Sequence, residues 1–397
     1  MSRDGDFVRL WSGGAVSAFG SAVATLAYPL LALSLTRSAS LAGLVGLVAL
    51  AAGAAMRLPA GVLVDRLPLR RVLVTADLIR AGATLGAAAA VVSSHLTLPW
   101  LVATAAVNAC AGTFSDTAHS VAVRHLVPAD QLPRAFALLD GRGHAVGLVG
   151  QPVGGYLFGV APGLPLVADT VSFVVSAVCS ASIRSPLTDP ARATGPRPRL
   201  SRDLLRGLQF VFGDPFLRAT LLAAAGFQLV YAGTTFALLA ELTARGVSPS
   251  QLGGLFAVAA VGGILGAITA PTLQRWLAPH RLVVGMGLVA TTVFAAFGWV
   301  DRPLLAGALL GCLYVATAPA NAMLLAAQVR RTPAVLQGRV MAASYLVAGL
   351  VAPAGPPLAG LLLDHTGSPT TFVVLAAATA LVTAGVHLNR AMRSMAE

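Results

Sequence analysis

Long apolar stretches almost free of charge alternate along this chain with short polar turns. They fall at about 11–35, 40–63, 72–93, 98–121, 135–160 and 163–184. A polar segment rich in arginine and proline follows at about 185–213, and six more stretches come at about 216–241, 250–273, 281–299, 303–328, 337–363 and 369–389. A helix needs roughly 20 apolar residues to cross a bilayer. The pattern therefore predicts an all-α integral membrane protein with twelve transmembrane helices, six on each side of a central linker. The boundaries read 1–187 for an N-terminal six-helix bundle, 188–213 for the linker and 214–397 for a C-terminal six-helix bundle.

The two sets of six are related by an internal repeat. One constant offset pairs Pro128 with Pro333, Ala129 with Ala334, Arg134 with Arg339, Ala137 with Ala342, Gly150 with Gly355, Pro152 with Pro357 and Gly155 with Gly360. These are turn and helix-packing residues. A repeat of six-helix halves points to two pseudo-symmetric bundles and to secondary transport, with a site near the membrane midplane.

Composition sharpens this picture. Only 11% of residues are charged and 56% are hydrophobic, against about 25% charged in a soluble domain. Every one of the 27 basic residues is arginine, which with 15 acids gives a net charge of +12. Such a charge in a soluble protein would suggest nucleic acid as a partner. Here 21 arginines lie in one set of alternating loops and termini, and only Arg37, Arg245 and Arg302 lie in the other. That bias is the positive-inside signature, so nucleic acid is excluded and both termini and the linker are expected in the cytoplasm. Trp11, Trp100, Trp276 and Trp299 fall near predicted helix ends, as interfacial anchors do. The first apolar run is too long for a signal peptide and reads as a retained helix. Without lysine there is no phosphate-binding loop of the Gly-x4-Gly-Lys-Ser/Thr type, which excludes ATP-driven transport by this chain alone. Cys110, Cys179 and Cys312 lie in apolar runs without metal-ligand spacing, and no cofactor, metal site or catalytic triad is legible.

The turn between spans two and three is the densest in charge: Gly61, Asp65, Arg66, Arg70 and Arg71 lie within eleven residues. Arginine alone would fix topology, so the aspartate is the informative residue. With the two-fold architecture, this turn resembles the signature loop of the major facilitator superfamily, Gly-x-x-x-Asp-Arg/Lys-x-Gly-Arg-Arg/Lys. Here Pro68 and Leu69 replace the Gly-Arg pair, and the basic residues move to Arg70 and Arg71. The resemblance spans the chain and is closest to the bacterial branch of enterobactin and drug exporters. It implies that Asp65 latches the outward-facing state by docking near Gly338 and Arg339, and that the arginines pair with Asp116 at the cytoplasmic end of helix four.

Span five carries Gly147, Gly150, Pro152, Gly154 and Gly155, which resembles the glycine–proline motif of antiporters with the proline shifted by one position. Its repeat partner in span eleven is Gly355, Pro356, Pro357 and Gly360. Proline removes a backbone donor and bends a helix, and glycine lets a neighbour pack against the bend. Close packing alone is the alternative reading.

Ionisable residues inside spans are costly and default to functional hypotheses. Asp140 and His144 share a helix face on span five at i, i+4 and, with Asp116, are the proton-coupling candidates; a structural ion pair is the alternative. Asp77 and Asp169 read as structural. Many relatives carry Gly-Asp in the first span, where this chain has Gly20 and Ser21. Tyr28, Arg57, Asn108, Gln228, Tyr231 and Asn321 are the candidates to line a substrate cavity that, with so few charges, suits amphipathic or aromatic molecules; interhelical hydrogen bonding is their other reading.

The sequence thus leads to a monomeric, proton-coupled exporter of a small organic compound, such as a drug, siderophore or secondary metabolite. It would work by alternating access in the lipid bilayer of a bacterial inner membrane. A facilitator or importer of a metabolite or lipid, and a transport-inactive sensor or assembly partner, are the competing readings.

Overall fold

Proline and arginine punctuate the helices of this protein, which we describe from a computed structural model. It covers residues 2–64, 66–128, 131–185, 187, 200–333, 336–389 and 392. The helices are α1 (Ser2–Thr25), α2 (Ala27–Thr36), α3 (Ala39–Val64), α4 (Leu69–Val92), α5 (Leu98–Leu126), α6 (Leu132–Val160), α7 (Leu164–Ala181), α8 (Leu200–Gly213), α9 (Pro215–Ala244), α10 (Pro249–Trp276), α11 (Pro279–Ala296), α12 (Pro303–Arg331), α13 (Gln337–Val351), α14 (Gly355–Thr366) and α15 (Ser368–Leu388). Among the described residues there is no strand.

Nine helices, α5, α6, α7, α9, α10, α11, α12, α14 and α15, have proline at their first or second position. There the missing N–H costs nothing and the fixed φ favours the helix. Asp214 caps α9 by accepting from the Leu217 N–H at 2.8 Å.

Ten stretches of helix among the described residues are long and apolar enough to cross a membrane. The other two predicted spans correspond to α6 and to α13 with α14. Two spans are interrupted. The first divides into α1 and α2 around Leu26, because Pro29 cannot donate to the carbonyl of Thr25. The eleventh is broken by a 3-10 turn at Ala352–Ala354, ahead of Pro356 and Pro357. The linker also differs from expectation: its second half is helix α8. Leu208 and Val211 lie one turn apart on one face of it, and Val211 is fully buried.

The chain divides into two compact units. Unit 1 comprises Met1–Arg37, Val45–Arg197 and Ser248–Gly253; unit 2 comprises Ser38–Leu44, Pro198–Val247 and Gly254–Glu397. In unit 1, α7 packs on α1 and α4, α4 on α5, and α1 on α6. Its apolar core includes Leu10, Leu73, Ala118, Val123 and Ile183. Buried Asp6 ties the chain after α7 back to α1, accepting from the Ser185 N–H at 2.8 Å and from Arg9 at 2.9 Å. In unit 2, α15 packs on α11 and α9, α14 on α9, and α8 on α13. Its core gathers Val211, Phe216, Leu217, Val283, Met286 and Val386.

Large apolar side chains face outward on many helices. Leu381 is 75% exposed, Ile268 67% and Val178 62%. Such exposure is untenable in water over so much surface and is what contact with lipid requires.

Candidate functional site

Polar residues inside the spans gather in two places, one in each unit. In unit 1, four helices line a cavity of about 780 Å³. Helix α1 contributes Gly14, Ser17, Ala18 and Ser21, which share one face at i, i+3, i+4 and i+7. Helix α4 contributes Arg80, α5 contributes Ser115, Asp116, His119 and Ser120, and α6 contributes Leu139 and Arg142. Gly14 brings α1 close to this cluster. A Cβ there would lie 2.8 Å from Arg142 Nη1 and 3.2 Å from His119 Cε1.

The charged groups are tethered. Arg142 Nη1 donates to the Trp11 carbonyl at 3.0 Å. Arg80 lies 3.9 Å from Asp77, donates to Ser21 at 3.1 Å and sits over the Phe173 ring at 3.9 Å. Ser21 donates onward to Asp169 at 3.2 Å, and Ser115 donates to Asp77 at 3.2 Å. Asp116 faces the cavity, where Arg80, Arg142 and Arg57 act on it electrostatically. A carboxylate beside guanidinium groups in a weakly polarisable interior changes its attraction to them when it gains a proton.

Unit 2 holds a cavity of about 500 Å³ between α9, α11, α12 and α13. Thr220, Ala224, Phe227, Gln228 and Tyr231 line it from α9, and Tyr314, Thr317, Asn321 and Gln328 from α12, each set on one helical face. The Tyr231 and Tyr314 hydroxyls are 2.6 Å apart and their ring centroids 6.4 Å. Gln328 donates to Ser344 of α13 at 2.7 Å.

The expected site residues fall unevenly. Gln228, Tyr231 and Asn321 meet in the unit 2 cavity. Tyr28 and Asn108 do not line the unit 1 cavity. Asn108 instead donates to Tyr28 at 2.8 Å and to Thr84 at 2.9 Å, joining α2, α4 and α5. Arg57 is exposed on α3.

Asp116 lies ten residues before the end of α5, about 15 Å along the helix. Its charged neighbours are therefore Arg80 and Arg142, and no ion pair joins it to Arg66, Arg70 or Arg71 among the described residues. Those three arginines are exposed, and Arg70 donates to the Ala181 carbonyl at the end of α7. Gly61 lies in the last turn of α3. Asp65 and the side chains of Asp140 and His144 lie outside the described residues.

The glycine–proline motif divides as well. Gly147 has open space around it, whereas a Cβ on Gly154 would lie 2.2 Å from the Val23 carbonyl oxygen, and one on Gly355 2.3 Å from that of Leu229. Gly150, Gly155 and Gly360 are packed as tightly, against Ala22, Gly253 and Ala39. Pro152 sits inside an unbroken α6, while Pro356 and Pro357 open α14.

Arg80, His119 and Arg142 were not singled out from sequence. The i, i+3 spacing of Asp116 and His119 was a usable signal for one of them, and the rarity of arginine inside spans was a signal for the other two.

A family model described as Major Facilitator Superfamily matches residues 10–336. The chain belongs to the major facilitator superfamily. It is therefore a membrane transporter and not an enzyme. Among relatives, the Multidrug efflux pump Tap of Mycolicibacterium fortuitum is 26% identical over 381 residues, covering 90% of this chain and 88% of that protein. Macrolide efflux protein A of Streptococcus pyogenes is 27% identical over 229 residues, 57% of this chain and 56% of that one. A bacterial homolog of the human lysosomal transporter Spinster matches with TM-score 0.75 at 15% identity, covering 100% of this chain and 98% of that one. A bacterial homologue of the iron transporter ferroportin matches with TM-score 0.73 at 16% identity, covering 96% and 97%. At these identities the structural likeness carries the fold, the two six-helix bundles of a major facilitator.

Proposed function

We propose that this major facilitator exports a small organic compound in exchange for protons by alternating access. It would do so in a bacterial inner membrane, with both termini in the cytoplasm. The observation that carries the exchange is the unit 1 cavity: a carboxylate, Asp116, faces it together with Arg80, Arg142 and His119. Placing these groups inside membrane spans is expensive, and a charge state that changes during the cycle is a function that would justify the cost. The direction rests on the relatives, named as multidrug and macrolide efflux proteins. The arginine bias supports the orientation.

The test is uptake of labelled acridone, an uncharged aromatic ketone, into inside-out vesicles containing the protein. An exporter driven by protons accumulates the label when the lumen is acidified and stops when an uncoupler is added. Uptake that only equilibrates the label and is indifferent to the uncoupler would replace this reading with a facilitator, and accumulation only in right-side-out vesicles with an importer.

A further inference from the structure

We infer that the unit 2 cavity binds an uncharged aromatic amphiphile, held by the Gln228 and Asn321 amides beside the Tyr231–Tyr314 hydroxyl pair. This rests on the reading of the chain as an exporter of organic compounds and gives that reading its substrate class.

Among the described residues, no aspartate, glutamate, arginine or histidine lines this cavity. An ion moved from water into such a site loses its hydration without gaining a counter-charge, a penalty of several kcal/mol. The segment of ligand that enters is therefore neutral. The walls are aromatic: Phe227, Phe294, Tyr231 and Tyr314 offer ring faces and edges against which a planar ligand packs in offset or edge-on geometry. The volume of about 500 Å³ lies within the roughly 300–1,000 Å³ of pockets that hold drug-sized molecules.

The polar groups divide into used and unused. Gln328 is tied to Ser344, and the two tyrosine hydroxyls to each other. Among the described residues, no protein group hydrogen-bonds the Gln228 or Asn321 side chain. Each amide carries two donors and an acceptor. They lie on different helices, α9 and α12, so they can grip a ligand carbonyl, hydroxyl or N–H from two sides. A site built this way rejects an analogue that lacks the matching polar group more strongly than one that differs by a methylene.

Three compounds with one ring skeleton and different charge test this: acridone, uncharged with one carbonyl and one N–H; 9-aminoacridine, a cation at neutral pH; and acridine-9-carboxylate, an anion. Their fluorescence is titrated with the full chain in lipid nanodiscs, with empty nanodiscs as the baseline. Acridone is expected to bind at least tenfold more tightly than either charged compound. Gln228→Leu and Asn321→Leu are each expected to weaken acridone about tenfold while leaving the melting temperature of the unliganded protein unchanged. A variant that melts lower is replaced by Tyr231→Phe, which removes only a hydroxyl and carries the same expectation.

No saturable acridone binding, tighter binding of either ion, or acridone affinity unmoved by these substitutions overturns the inference. The titration needs no ion gradient. Failure here therefore refutes the substrate class, whereas normal acridone binding with flux indifferent to uncoupler refutes the exchange.

Discussion

Arg80 is the residue on which three elements of unit 1 converge. Its guanidinium reaches Asp77 on its own helix, Ser21 on α1 and the face of Phe173 on α7. Asp77 is fully buried and the Arg80 side chain is 14% exposed. A buried ion pair adds little over an apolar pair of the same volume, but removing one partner strands the other at a cost of about 3–5 kcal/mol. Arg80→Leu is therefore expected to destabilise unit 1 by that amount, and adding Asp77→Asn to recover most of it. Unfolding titrations in a denaturing detergent measure both; equal destabilisation of the single and double variants would show that charge pairing is not what Arg80 supplies. Ser21 has a related lesson. By sequence Ser21 stands out only as a position without a carboxylate. In the structure its hydroxyl accepts from Arg80 and donates to Asp169, so the acid of α7 connects to the same charged group.

At the scale of the element, the start of α3 shows how an apolar helix has its first turn satisfied. Ser38 lies just before it, and its hydroxyl accepts from the Leu41 N–H at 3.4 Å and donates to Asp364 at 2.9 Å. Asp364, at the end of α14, also accepts from the Ala39 N–H at 3.1 Å and the Ser40 N–H at 3.0 Å. All belong to unit 2. The first three amides of α3 thus have acceptors, and a negative charge stands at the positive end of the helix dipole. Burial alone would raise the Asp364 pKa, but these bonds from Ser40, Ser38 and Ala39 outweigh it and hold the carboxyl below its ordinary 3.8. A depressed carboxylate contributes stability that is present above its unfolded pKa and is lost as pH falls through the folded one. Asp364→Asn is therefore expected to melt below the wild type by a constant margin between about pH 5 and 8, worth about 1 kcal/mol for a lost cap. The margin should begin to shrink near the unfolded carboxylate value of about 4 and close only as pH falls below the lowered folded pKa. A margin that does not shrink anywhere in that acid range would mean that the carboxylate charge plays no part in the cap.

At the scale of the whole molecule, twelve spans, their repeat and their family were legible because the bilayer enforces them: a span must be long and uncharged, and loop arginines must sort by side. Half of the unit 2 cavity was legible for a similar reason, since Gln228 and Tyr231 lie on one face of a single helix. The unit 1 cavity was not, because it assembles from four helices distant in sequence and nothing local tells Asp116 that its partners are Arg80 and Arg142. The bend in span eleven was legible from Pro356 and Pro357, whereas the break at Leu26 was missed because hydropathy does not register backbone geometry. The resulting contrast, charged groups in one cavity and, among the described residues, none in the other, separates two tasks that single substitutions can distinguish. Asp116→Asn keeps the shape and hydrogen-bonding reach of the side chain but abolishes its proton exchange. Labelled acridone should still exchange across vesicles at equal pH on both sides, because the cavity of unit 2 is untouched. Accumulation driven by an acid lumen should fall to the level seen with uncoupler. Arg142→Gln should retain part of the pH response, because Arg80 and Arg57 still act on the carboxylate. If Asp116→Asn accumulates label normally, the coupling carboxylate lies elsewhere, and Asp169, reached through Ser21 and Arg80, is the next residue to neutralise.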